Sequence, residues 1–153
     1  MRLRLPPDQI EQLITALRRA GKKEIGGQIF GEQLMPSDFR AVELTLQKQP
    51  GTFARFIIDL VQAAQDALRF FERTEYRYTQ FNYIGEWHSH PSFEVKPSSV
   101  DLATMRALVS DPEFQGNFAV LMIVRLDNGH LITRAWLFDP SGGEIPITLE
   151  IER

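Results

Sequence analysis

The segment from Gly85 to Asp101, GEWHSHPSFEVKPSSVD, holds the side chains best suited to chemistry. His88 and His90 stand two residues apart at the end of a predicted strand. Strand side chains alternate, so both imidazoles project to one face. Pro91 ends regular pairing and turns the chain away. Ten residues separate His90 from Asp101, enough for a loop to fold the carboxylate back over the imidazoles. Two imidazoles and a carboxylate make three ligands. Zinc takes four in tetrahedral geometry, which leaves one position for water, the open form of a catalytic site rather than the closed form of a structural one.

Each residue also has a plainer explanation. A His near a strand end is commonly structural, and a His-x-His pair alone is a modest metal signal. Ser98-Ser99-Val100-Asp101 matches a capping box with Asp in place of the usual Glu, and Pro97 before it suits the start of a helix. By this reasoning Asp101 reaches back to the cap or across to a metal, hardly both. Glu24 taken alone is an exposed acid at a strand edge. A cupin barrel is a sharper rival, because His88, His90 and Glu94 fit its spacing. It needs a further His, and only His130 remains, directly after a predicted hairpin turn. Three helical patterns also suit a double-sheet all-β fold poorly.

The composition narrows the field. The 153 residues are 43% hydrophobic and 24% charged, ordinary for one compact globular domain spanning 1–153. A formal net charge of −3 gives a nucleic-acid partner no electrostatic support. The chain has no cysteine, so disulfides, thiolate chemistry and the Cys-pair zinc deaminases are excluded. The helical His-Glu-x-x-His motif is absent too. The start, MRLRLPPDQI, lacks the apolar stretch of a secretory signal, and no run approaches membrane-spanning length. The expected location is cytoplasmic.

The elements that must position the site alternate along the chain. Ile10, Leu13, Ile14 and Leu17 line one face of a helix that ends at Gly21. Glu24–Gly31 and Phe39–Gln47 read as strands, and Phe53–Ile58 as a third. Asp59 to about Tyr76 returns to a helix with Leu60, Ala64, Leu68 and Phe71 on its inner side. The aromatic stretch from Arg73 to Tyr83 is a surface loop, a flap or a partner surface. It leads into the strand ending in GEWHSHP, where Trp87 alternates into the core. Ser98–Ser110 is a helix with Leu102, Met105, Leu108 and Val109 inward. Phe118–Leu126 and His130–Phe138 form a hairpin through Asp127-Asn128-Gly129, and Ile145–Ile151 is the last strand. The result is an α/β domain with a mixed, curved sheet flanked by three helices.

Taken together, these residues resemble the signature of the JAMM metallopeptidases, also called the MPN-plus or JAB family. That signature is an upstream Glu, then His-Ser/Thr-His-Pro, six residues, Ser, two residues and Asp. Here it reads Glu24, then His88-Ser89-His90-Pro91, the six residues from Ser92 to Pro97, Ser98 and Asp101. EIGGQIFG also resembles the family's Glu-x-x-Gly-x-x-x-Gly strand, with Gly27 and Gly31 in place. The order of elements agrees over nearly the whole chain, so the resemblance implies a single MPN domain.

The resemblance implies roles as well. His88, His90 and Asp101 would hold one Zn2+ with its catalytic water. Glu24 would be the general base and later the proton donor, and Ser98 would donate a hydrogen bond to the oxyanion. The helix cap competes for the Ser98 hydroxyl. Glu86, two residues before His88, is either a partner of a ligating His or a solvated rim acid. The implied substrates are a ubiquitin-like protein or its conjugates, cleaved after its C-terminus. The compact form resembles bacterial members encoded beside ubiquitin-like proteins and conjugating enzymes, including those of antiphage operons. The alternatives are a processing peptidase for a sulfur-carrier protein and a non-catalytic MPN scaffold. Scaffold members lose metal ligands, and this chain retains all of them.

Overall fold

The computed structural model describes residues 1–47 and 60–153. Its first strand, β1 (Arg2–Leu5), was not anticipated from the sequence, although Arg-Leu-Arg-Leu is a clean period-two pattern. Leu3 and Leu5 are fully buried. Helix α1 (Pro7–Ala20) begins on a proline, carries Asp8 in its first turn and Arg18 and Arg19 in its last, and buries Leu13, Ala16 and Leu17. Gly21, at φ 60°, ends it as expected.

Strand β2 (Gly26–Met35) starts two residues later than expected and runs four past Gly31, while β3 (Asp38–Leu44) stops three short of Gln47, and the two turn through Ser37 at φ 62°. The expected strand Phe53–Ile58 lies outside the described residues. Helix α2 (Leu60–Arg73) exists as expected, but its inner face is different. Asp66, Phe70 and Thr74 are the buried positions, four residues apart, while Ala64 and Leu68 are exposed and Phe71 is half-buried. The helix is seated on Phe30 of β2, with Phe70 stacked on it at 4.6 Å and Phe71 edge-on at 6.1 Å. Strand β4 (Phe81–Ser89) ends in the His-Ser-His segment, and helix α3 (Ser99–Ser110) follows it. Met105 and Val109 of α3 are buried and Leu102 and Leu108 half-buried, the expected face. Strands β5 (Ala119–Asp127), β6 (His130–Phe138) and β7 (Glu144–Ile151) complete the chain. The β5–β6 turn places Asn128 and Gly129 at positive φ, as a two-residue hairpin of this type requires.

The sheet is mixed and closes into a barrel in the order β1-β3-β2-β4-β5-β6-β7. Strand β1 closes it, pairing parallel with β3 on one side and with β7 on the other. The interior is filled by Leu3, Leu5, Ile29, Trp87, Val120, Met122 and Val124, against which α1 packs Leu13 and Leu17. Helix α2 lies outside β2 and β4, and α3 lies outside β5 and β6 over Leu121, Ile123 and Phe138. The outer face of β4 therefore lies between two helices. No helix among the described residues is long and apolar enough to cross a membrane.

The closing strand is tied by charge. Arg4 grips the Asp38 carboxylate with two bonds, Nε to Oδ1 at 2.9 Å and Nη2 to Oδ2 at 2.7 Å. Those bonds hold the Asp38 carboxyl below its ordinary range. A depressed carboxyl contributes stability above its unfolded pKa and loses it as pH falls through the folded one. Asp38→Asn is therefore expected to lower the melting temperature most at neutral pH. The gap to the wild type should narrow in melts recorded as the pH falls below about 4, the ordinary carboxylate range.

Candidate metal centre

The site is built on the register between β2 and β4. Gly26 pairs with His88, Gly27 with Trp87 and Gln28 with Glu86. Beyond the last pair, Ser89 N–H donates to the Ile25 carbonyl at 2.8 Å, and Ile25 N–H donates to Ser89 Oγ at 3.0 Å. One step further the same register sets Glu24 opposite His90. Glu24 is buried, at 5% exposure, and its negative charge is one of the influences acting on His90. The glycines of this strand allow the close approach. A Cβ at Gly27 would stand 2.0 Å from the Thr45 carbonyl oxygen, and one at Gly31 would stand 2.0 Å from Ile84 Cδ1.

His88 and His90 do share a face, and Asp101 joins them. The two Nε2 atoms are 3.0 Å apart. Asp101 Oδ1 is 3.3 Å from His88 Nε2, and Oδ2 is 3.3 Å from His90 Nε2. One ligand atom from each of the three residues lies within 4.8 Å of the others, close enough for all three to reach a single ion, and imidazole nitrogen with carboxylate oxygen is a donor set that suits zinc. His90 Nδ1 meets the Glu94 carbonyl at 2.9 Å. A donor at Nδ1 leaves the Nε2 lone pair for a metal, the usual arrangement of a ligating histidine. Burial alone would lower the His90 pKa. It is raised because the bond to Asp101, the Glu94 carbonyl and the charges of Asp101 and Glu24 outweigh burial. Burial alone would raise the Asp101 carboxyl. Its bonds with His88 and His90, the charge of His88 and the Ser98 N–H hold it well below its ordinary range.

The cap does not turn the Asp101 carboxylate away from the histidines. Ser98 Oγ accepts from Asp101 N–H at 3.1 Å, and Ser98 N–H donates to Asp101 Oδ2 at 2.8 Å, so the capping box is complete. The same carboxylate faces both imidazoles, because the cap uses one lone pair of one oxygen and leaves the rest. Ser98 is likewise not spent. Its oxygen accepts in the cap, which leaves the hydroxyl hydrogen to donate elsewhere.

Residues 6–139 match the model of a family described as prokaryotic homologs of the JAB domain. The chain belongs to this prokaryotic JAB-domain family. A relative in Enterobacter hormaechei subsp. hoffmannii, named a CD-NTase/cGAS isopeptidase, is 27% identical over 92% of this chain and 76% of its own length. A solution structure of a Desulfitobacterium hafniense protein superposes with a TM-score of 0.69 over 99% of this chain and 93% of that one. At 18% identity that likeness concerns the JAB-domain fold alone.

Several residues that shape this JAB-domain site went unnoticed in the sequence. Ser89, between the two histidines, is fully buried and fixes Ile25 beside Glu24. Val95 anchors the Ser92–Pro97 loop in the apolar cluster under α3, and Arg125 Nη1 holds the Phe93 carbonyl at 3.1 Å. Val95 was detectable as the lone aliphatic residue of a polar loop, but nothing local marks Arg125. The other sequence candidates fall outside the cluster. The Glu94 carboxylate is exposed and pairs with Lys96, and His130 is exposed after its turn, which removes the cupin arrangement. The only metal-capable cluster among the described residues is His88, His90 and Asp101. Glu86 is not a solvated rim acid. Burial pushes its carboxyl up to about 7, tempered by a hydrogen bond from Tyr83. The Arg73–Tyr83 segment enters β4 at Phe81, seven residues from His88, about 23 Å along an extended strand.

The two duties of Asp101 separate by substitution. Asp101→Asn retains an oxygen for the Ser98 N–H but loses the anionic ligand. It should weaken metal binding more than tenfold in competition with a chromogenic chelator, with little change in urea unfolding of the metal-free protein. Asp101→Ala should lose both, adding about 1 kcal/mol of destabilisation from the missing cap.

Proposed function

We propose that this chain is a zinc-dependent isopeptidase that releases a protein joined through its C-terminus to an amine, in the manner of ubiquitin-like conjugation. The observation that carries this reading is the convergence of His88, His90 and Asp101 within reach of one ion, beside a buried Glu24. The donors are nitrogen and carboxylate oxygen, with no thiolate, which suits a zinc site that keeps a position open. Such an ion, when bound, supplies Lewis acidity for the scissile carbonyl and a lowered pKa for the attacking water. Family membership and the isopeptidase name of the Enterobacter relative support a conjugate as substrate. A ubiquitin-like protein, or a CD-NTase conjugated as that name indicates, is the protein released.

The chain's own residues divide the work. Glu24, held opposite His90, takes the proton of the attacking water and returns it to the departing amine. Ser98, at the exposed mouth of the site, turns its hydroxyl hydrogen toward the developing oxyanion while its oxygen remains in the cap. His90 is oriented by the Glu94 carbonyl and His88 by its place in β4. A scaffold role would make no use of this arrangement.

Glu24→Gln is expected to retain about one zinc per chain and to lose cleavage by about 10⁴ or more, since one residue serves as both base and acid. Ser98→Ala should lose roughly 10²–10³ in turnover as an oxyanion donor. The test is single-turnover cleavage of a fusion between the conjugated protein and a reporter, with zinc measured in each variant. Near wild-type turnover in zinc-loaded Glu24→Gln would sink the mechanism. Zinc loss in that variant would make Glu24 a ligand instead.

A further inference from the structure

Positive charge is not spread evenly over this chain. Arg18, Arg19, Lys22 and Lys23 place four cations within six residues, all of them exposed, in a chain whose formal net charge is −3. Most other described cations have found a carboxylate. Arg2, Arg4, Arg40, Arg69, Arg73, Lys96, Arg106 and Arg125 each form an ion pair. The four cations of this group form none among the described residues. The nearest carboxylate on their own helix, Glu11, lies seven residues before Arg18, about 10 Å along the axis. The next one along the chain, Glu24, is buried near His90.

Helix position accounts for half of the group. Arg18 and Arg19 are in the last turn of α1, where the dipole favours cations. Lys22 and Lys23 stand past Gly21, outside the helix, and add like charge to the two arginines. The backbone holds them there. Gly21 N–H donates to the Leu17 carbonyl and Lys23 N–H to the Ala20 carbonyl, each at 3.1 Å. Two residues on, Ile25 is tied to Ser89 between the two histidines. The link from α1 to the metal cluster is therefore fixed at both ends. Glu24 lies within it, its Cα about 3.8 Å from that of Lys23.

We propose that Arg18, Arg19, Lys22 and Lys23 form a docking surface for an acidic stretch of the protein that bears the departing amine. The deduction rests on the isopeptidase reading above and names the chemistry of the amine-bearing half of the conjugate. Glu24 hands a proton to the departing nitrogen, so that nitrogen passes within hydrogen-bond reach of its carboxylate. The chain carrying the nitrogen lies over the Glu24 end of the site, where the cations stand. Exposed cations at the rim of a site steer an oppositely charged partner in and disfavour a like-charged one. An acidic partner supplies the counter-charges that this chain does not.

The probes are isopeptides. The best-cleaved acyl decapeptide from a randomised pool is joined by its C-terminus to the Nε of a lysine, and that lysine is flanked on each side by four Glu, four Ser or four Lys. In about 50 mM salt the zinc-loaded wild type should show a KM for the Glu-flanked probe about three- to thirtyfold below that for the Lys-flanked one, the range of a few exposed charge pairs. The gap should shrink in about 0.5 M salt. Arg18→Gln/Arg19→Gln/Lys22→Gln/Lys23→Gln, which keeps helix propensity, should bring the KM values together with zinc content unchanged. Arg18→Glu/Arg19→Glu/Lys22→Glu/Lys23→Glu should reverse their order. Equal KM for the three probes in the wild type overturns the docking surface whether or not a variant folds. A preference for Glu flanks that survives in the Gln variant overturns it too, since recognition then lies elsewhere. A wild type that binds a DNA duplex in about 0.15 M salt more tightly than the Glu-flanked probe overturns it in favour of a nucleic-acid site. A zinc-loaded wild type that cleaves neither these probes nor protein fusions overturns the isopeptidase reading and the docking surface with it.

Discussion

The antiparallel register of β2 on β4 is the constraint from which the site follows. Side-chain direction in a strand has a period of two, so a slip of one residue would turn His88 into the barrel and Trp87 out of it. The register is held from the inside. Trp87 is almost fully buried, and its indole N–H donates to the Thr45 carbonyl at 2.9 Å. Displacing a buried Trp costs about 3–5 kcal/mol, far more than the polar face would gain elsewhere. It is held at the strand end by the fully buried Ser89, whose hydroxyl takes the Ile25 N–H just beyond the last ladder pair. The alternation that buries the indole is therefore the one that delivers the imidazoles to the groove. The same pairing brings Glu24 across from a part of the chain more than sixty residues away.

Helix α3 solves the remaining problem, which is to hold a carboxylate still. A ligand on a free loop would lose rotamer entropy on binding an ion. Asp101 is fixed in advance by the capping box and sits at the positive end of the helix, where a negative charge is favoured. The helix is seated by Met105 and Val109 against Leu121, Ile123 and Phe138, and the loop before it by Val95. Packing on the outside of β5 thus sets where the Asp101 carboxylate stands. A helix cap and a metal ligand are compatible because a carboxylate has more lone pairs than either use consumes.

The outer face of β4 is unusual for a surface covered by helices. Its neighbours are apolar, with Phe30 and Phe70 under α2 and Leu121 and Ile123 under α3. Between them run Glu86 and His88, with Gln28 and Tyr83 beside them. Polar groups in such a strip are expensive unless paired, and Glu86 is paired with Tyr83.

Much of this was legible from the residues alone. His88, His90 and Asp101 were identified by type and spacing, and the capping box by Ser98 and Asp101. The Asp127-Asn128-Gly129 hairpin and the end of α1 at Gly21 followed from local backbone preferences, which act within a few residues and therefore survive in the sequence. Other features were not legible. The inner face of α2 was misassigned because Phe70 finds Phe30, a partner on another element, while Leu68 finds none. Strand β1 was overlooked because four residues form a strand only when β3 and β7 are there to pair with it. The sequence determined which groups are available for metal chemistry and how each turn is made. Only the tertiary structure decided that Glu24 is buried near His90, that Asp101 completes the cap while facing both imidazoles, and that Glu86 lies half-buried beside Tyr83. Those are contacts between distant residues, set by sheet register and helix seating, and no local pattern encodes them.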